Sequence, residues 1–159
     1  IRSLMIPEKY HHELHDVLTD HKEDVELYLQ TANHGNVLFL SSFEEGEPSS
    51  FSIDEMQLLE KIIVALKLKF PKVDIAKFKR PRSKQALVSK LIEKNYQYVF
   101  VLGETSARTF SKNSWLNSQI EIDGLKLFST FDASDMLKNA DLKKDAWLGF
   151  KSIMESLPW

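Results

Sequence analysis

Asn36-Val37-Leu38-Phe39-Leu40 decides the fold class. The run is apolar throughout and follows Gly35, so it reads as a strand buried on both faces, as in a parallel sheet. The polar residues 41–50, with Gly46 and Pro48, read as a loop. A helix must follow. Ser52 and Glu55 have the spacing of a capping box, and Phe51 and Met56 hold the two positions of a hydrophobic staple. The body of this helix, Ile53–Leu68, carries Met56, Leu59, Ile62, Ile63 and Leu66 on one broad face suited to a sheet, and Pro71 ends it.

The same alternation continues downstream. Lys72–Phe78 reads as a second strand, and Ser83 caps a helix running to Lys94. Tyr96–Leu102 reads as a third strand, and Glu104–Phe110 as a short helix directly after Gly103. Asp123-Gly124 lies between the apolar runs Ile120–Ile122 and Leu125–Phe131, a strong hairpin signal. Asp132 and Ser134 can cap a helical turn. Asp141 opens a last helix with Ala146, Phe150, Ile153, Met154 and Leu157 at helical spacing. Gly149 inside that helix costs about 1 kcal/mol relative to alanine and allows close packing. Upstream, Tyr10, Leu14, Val17, Leu18, Val25, Tyr28 and Leu29 share a helical spacing, which predicts helix over Pro7–Asn33. Strands alternating with helices imply a parallel sheet covered on both faces.

At 159 residues, with 43% hydrophobic and 28% charged residues, the chain suits one soluble domain. It has no cysteine, which excludes disulfides, a thiol nucleophile and thiolate-held clusters. No apolar run is long enough to span a bilayer, so no membrane role and a cytoplasmic location are expected. The net charge of −2 hides a strong segregation. Residues 1–60 hold 13 acidic and 3 basic residues, residues 61–120 hold 3 and 13, and residues 121–159 hold 7 and 5. Such asymmetry points either to a charged partner or to acidic and basic segments packed on each other.

Ligands of open α/β sheets gather beyond the carboxyl ends of the strands. Three segments fall there: residues 41–47, 77–82 and 130–134. In the first, Glu44 and Glu45 could act as a general base. No phosphate-binding glycine pattern is present, and no cofactor is expected. In the second, Lys77, Lys79, Arg80, Arg82 and Lys84 form a basic edge with Phe78 among them, the composition that contacts nucleic-acid phosphates. His11, His12 and His15 share one predicted helix. They lack further ligands and the zincin spacing, so no metal site is expected.

Two segments resemble the uracil-DNA glycosylase-like superfamily. One is Tyr98–Gly103 followed by Glu104-Thr105-Ser106-Ala107; the other runs from Phe128-Ser129-Thr130-Phe131-Asp132-Ala133-Ser134 to Lys143-Lys144-Asp145-Ala146-Trp147. Lys77-Phe78-Lys79-Arg80-Pro81 is similar to the family's basic Arg-Pro segment. The likeness spans roughly 36–157 and lies more in element order than in strict motifs. The resemblance makes Ser41, Ser42, Asp132, Ala133 and Ser134 the positions equivalent to the family's catalytic motifs. The sequence departs from the family there. Ser41-Ser42-Phe43-Glu44-Glu45 stands where the water-activating loop belongs, without an acid at its second or third position. The uracil-reading asparagine is not found. Asp132 replaces the histidine that stabilises the departing base anion, and a carboxylate there repels an anion. Ala133-Ser134 and Asp145-Ala146-Trp147-Leu148 also look like the non-catalytic psi-subunit family of bacterial polymerase III clamp-loader assemblies.

Residues 1–35 are therefore expected to form an N-terminal helical segment. Residues 36–159 are expected to form one three-layer α/β/α unit with a four-stranded, mostly parallel sheet in the order 2-1-3-4, uracil-DNA glycosylase-like. The expected function is a non-catalytic interaction module in DNA replication or repair that binds replication or repair proteins through either the basic edge or an apolar helix face, with DNA as a further candidate partner at the basic edge. The alternatives are a divergent DNA glycosylase using Glu44 or Glu45, and a protein-only scaffold.

Overall fold

The computed structural model of the chain describes residues 25–31, 35–66, 73–79, 83–113 and 115–156. The elements follow in the order β1 (Glu26–Thr31), β2 (Val37–Phe43), α1 (Ile53–Leu66), β3 (Val73–Lys79), α2 (Lys84–Glu93), β4 (Tyr98–Leu102), α3 (Glu104–Phe110), β5 (Ser118–Ile122), β6 (Leu125–Thr130), α4 (Ala133–Lys138) and α5 (Ala140–Ser156). They form three layers around a six-stranded mixed sheet in the order β1-β3-β2-β4-β6-β5. Neighbours β3, β2, β4 and β6 run parallel, while β1 and β5 pair antiparallel at the two edges.

This corrects the expected four-stranded, uracil-DNA glycosylase-like sheet. Both edges carry a strand beyond the expected four: the one beside β6 forms the hairpin that Asp123-Gly124 signals, while the one beside β3 lies where helix was expected. Glu26–Thr31 lies within the predicted N-terminal helix, yet it is extended and pairs with β3, Glu26 opposite Lys79 and Leu29 opposite Ala76. The physical reason is non-local. β3 offers an unpaired row of backbone groups, and satisfying them outweighs a local helical spacing. Ser118–Ile122 folds back on β6 through Asp123 and Gly124, both at positive φ as such a turn requires. The rest of the predicted helix, with His11, His12 and His15, lies outside the described residues.

The inner strands divide their side chains between two cores, as a period of two requires. Val37 and Phe39 join Leu59 and Ile62 of α1, Met136 of α4, and Phe150 and Ile153 of α5 on one face. Leu38 and Leu40 join Leu87 and Leu91 of α2 and Ala107 and Phe110 of α3 on the other. Phe39, Phe100 and Phe128 stand in register across β2, β4 and β6. Phe150 covers them, with ring centroids 5.9, 5.5 and 5.9 Å away.

The helix starts obey local chemistry. The Ser52 N–H donates to Glu55 Oε1 at 2.8 Å and the Glu55 N–H donates to Ser52 Oγ at 3.2 Å, so both halves of the capping box form. Ser83 caps α2 by accepting from the Ala86 N–H.

Gly149 lets α5 approach the sheet. A Cβ there would run into the Asn117 side-chain amide and lie 3.0 Å from Phe128 Cζ. Asn117 cannot easily retreat, because its Oδ1 accepts from the buried Thr130 hydroxyl at 2.9 Å. In an ordinary helix, glycine to alanine gains up to about 1 kcal/mol. Gly149→Ala is expected instead to lose about 1–3 kcal/mol through overpacking, read as a lowered midpoint in denaturant unfolding.

Candidate functional site

Three parallel strands end together. β2 ends in Ser41-Ser42-Phe43, β4 runs through Leu102 into Gly103, and β6 runs through Thr130 towards Asp132. The Gly103 N–H donates to the Thr130 carbonyl at 2.8 Å, which ties the two strand ends together. Gly103 has a φ of 96°, and a Cβ on it would sit 3.2 Å from Asp132 Cβ. Glycine is therefore required twice, for its backbone conformation and for the close approach of Asp132.

Asp132 is the N-cap of α4, and its Oδ1 accepts from the Ala133 N–H at 2.8 Å. Its Oδ2 accepts from the buried Ser41 hydroxyl at 3.1 Å, and that hydroxyl also lies 3.3 Å from the Leu102 carbonyl oxygen. Ser106, on the first turns of α3, donates to Ser42 Oγ at 2.9 Å. Lys77 leans over the Phe51 ring, with Nζ 4.9 Å from its centroid, and its charge reaches Asp132. Burial pushes the Asp132 carboxyl up to about 6, against the lowering pull of Ala133, Ser41 and Lys77, while Glu55 adds to the rise.

The structure brings together Ser41, Ser42, Asp132, Ala133 and Lys77. Ser134 follows on α4, half-buried. Glu44 and Glu45 stand apart in exposed turn positions. Glu45 accepts from Lys79 Nζ at 2.6 Å, and this contact holds its carboxyl below the usual range and raises the Lys79 ammonium. A general base in this fold would need burial that pushes its pKa up, and Glu45 has the opposite environment. Lys84 is exposed at the start of α2, and Arg80 and Arg82 lie outside the described residues. Sequence reasoning assigned no role to Ser106 beyond the family likeness. The available signal was its position one turn into the helix that follows the glycine-ended strand. Among the described residues, no three His, Cys, Asp or Glu side chains gather as a metal site. No described helix is long and apolar enough to cross a membrane.

The geometry makes a polar cluster at the strand ends, in which Ser41 bonds Asp132 and Ser106 bonds Ser42. Both carboxylate oxygens of Asp132 are engaged within the chain, Oδ1 by the Ala133 N–H and Oδ2 by the Ser41 hydroxyl. No family model and no curated protein matches the chain.

The raised Asp132 pKa has a definite consequence for stability. The folded value, about 6, lies above the ordinary 3.8, so the folded protein holds this proton more tightly than the unfolded chain does. The contribution is fully present below about pH 4 and is lost as pH rises through about 6. Asp132→Asn keeps an N-cap acceptor but cannot ionise. Its stability relative to the parent should therefore rise by roughly 1–3 kcal/mol between pH 4 and pH 8, read by urea unfolding at the two pH values.

Proposed function

We propose that this chain is a non-catalytic interaction module of DNA replication or repair that works in the cytoplasm by binding proteins. The observation that carries the reading is the Asp132–Ser41 hydrogen bond at the mouth of the strands. By the resemblance, Asp132 stands for the residue that would stabilise a leaving base anion, and a carboxyl whose pKa is raised by burial disfavours further negative charge beside it. The solvent-exposed, Lys79-paired Glu45 supports the same reading. The replication or repair setting rests on the sequence likeness of Tyr98–Ala107 and Phe128–Trp147 to the glycosylase-like superfamily and its psi-subunit branch.

A second reading, DNA contact through the basic edge, is favoured by the exposure of Lys84, close in sequence to Lys77 and Lys79. Two of these three are already engaged, Lys79 by Glu45 and Lys77 by Phe51 and the Asp132 field. Any such contact is electrostatic and therefore strongly salt-dependent.

The test uses purified chain and oligonucleotides carrying uracil, hypoxanthine or alkylated bases. No abasic sites are expected at stoichiometric protein, and clamp-loader or repair proteins are expected to co-purify from the native cell. Base release that disappears in Asp132→Asn or Glu44→Gln would overturn the proposal. For the basic edge, fluorescence anisotropy on single-stranded DNA should show affinity falling steeply with salt. Lys77→Ala with Lys84→Ala should then flatten the log–log salt slope by about 1–2. An unchanged slope removes DNA from the partner list.

A further inference from the structure

On the face of the sheet that carries α1 and α5, the two helices leave a groove between them. Leu58, Lys61, Ile62 and Ala65 of α1 line one side, and Lys143 and Trp147 of α5 the other. The groove shares no lining residue with the Asp132 cluster, and a partner docked there rests on the protein-binding role proposed above but not on the absence of catalysis at Asp132.

Three features define what the groove accepts. Its volume is about 190 Å³, below the roughly 300 Å³ at which small-molecule and cofactor pockets begin, so it has room for side chains rather than for a cofactor. Its floor is apolar, with Leu58 and Ile62 buried and Trp147 half-buried against the core. Its charged lining consists of two lysines, one on each helix, with no carboxylate among the lining residues. Leu58, Ile62 and Ala65 lie along one stripe of α1, and Lys143 and Trp147 are one turn apart on α5. Each side of the slot is thus a stripe along one helix, a surface onto which a peptide can present side chains at helical spacing.

We propose that this groove docks a short acidic, amphipathic segment of a partner protein. A large apolar side chain of that segment packs on Trp147 and Ile62, and carboxylates on its flanks face Lys61 and Lys143. Charge complementarity selects this occupant. A basic segment would bring like charges against both lysines, and a purely apolar one would leave both without a counter-charge. Trp147 supplies the aromatic anchor on which such interfaces concentrate their binding energy.

The test titrates the full chain into three fluorescent peptides. One has Leu and Phe anchors with Asp and Glu flanks, one has the same anchors with Lys flanks, and one has the acidic flanks with Ser in place of the anchors. The acidic, anchored peptide should bind at least about tenfold more tightly than either control. Its affinity should fall several-fold between about 0.05 and about 0.5 M NaCl. Trp147→Ala should weaken it by at least about tenfold. Because Trp147 touches the core and its loss could perturb folding, the deciding variant is Lys61→Glu with Lys143→Glu, both at exposed positions. That variant should keep the parent melting temperature and reverse the preference towards the Lys-flanked peptide. Equal binding of the acidic and basic peptides, no binding of the acidic one, or an indifferent lysine variant would overturn the proposal. So would sedimentation showing a dimer that Trp147→Ala dissolves, because the occupant would then be a second copy of the chain.

Discussion

Three phenylalanines in register, Phe39 on β2, Phe100 on β4 and Phe128 on β6, hold the centre of the sheet against α5. Phe39 and Phe100 lie 5.0 Å apart between ring centroids, Phe100 and Phe128 5.9 Å apart, and Phe150 lies within 6 Å of all three. Edge-on and tilted rings at these spacings attract beyond the area they bury. Much else is bound to this cluster. It fixes the relative register of the three strands, and through Gly149 it fixes the depth at which α5 sits. The strand ends reach their common edge two or three residues later. The polar cluster of Ser41, Gly103 and Asp132 is therefore positioned by the apolar row that precedes it in the strands.

Local chemistry made much of this fold legible. The capping box at Ser52 and Glu55, the Ser83 cap, the Asp-Gly turn and the apolar run of β2 each state their structure within a few residues. β1 does not. Val25, Tyr28 and Leu29 fit a helical spacing, and Glu26–Thr31 is mostly exposed to solvent, so no clean alternation marks a strand. What makes the segment extended is the edge of β3, nearly fifty residues away, which no window on the sequence contains. The site shows the same division. Asp132 as a cap was readable. Its contact with Ser41 spans 91 positions and depends on the pairing of β2 with β4 and β4 with β6.

The charge segregation also resolves in space. Glu26 sits opposite Lys79 in the β1–β3 ladder, and Glu45 reaches the same lysine from the loop after β2. Two residues of the acidic N-terminal region thus converge on one cation of the basic middle region. At this point the opposed charges serve the protein's own assembly, and being exposed they are screened by salt and add little to stability. Lys79, at least, is a cation of the basic stretch that the chain itself engages.

Asp132 joins these threads. An aspartate at a helix N-cap is favourable because the first N–H groups of the helix and its dipole welcome negative charge. The same residue is half-buried and packed close beside Gly103, and the loss of solvent disfavours that charge. Burial wins, since the carboxyl rises to about 6 despite the Ala133 N–H, the Ser41 hydroxyl and Lys77. A carboxyl held in this way can take up a proton near neutrality. A reaction that builds negative charge beside it would work against both its own ionisation and the dielectric that surrounds it. The strand-end edge is for that reason unsuited to such a reaction, and the apolar, lysine-flanked slot between α1 and α5 is the part of the surface shaped for an acidic partner.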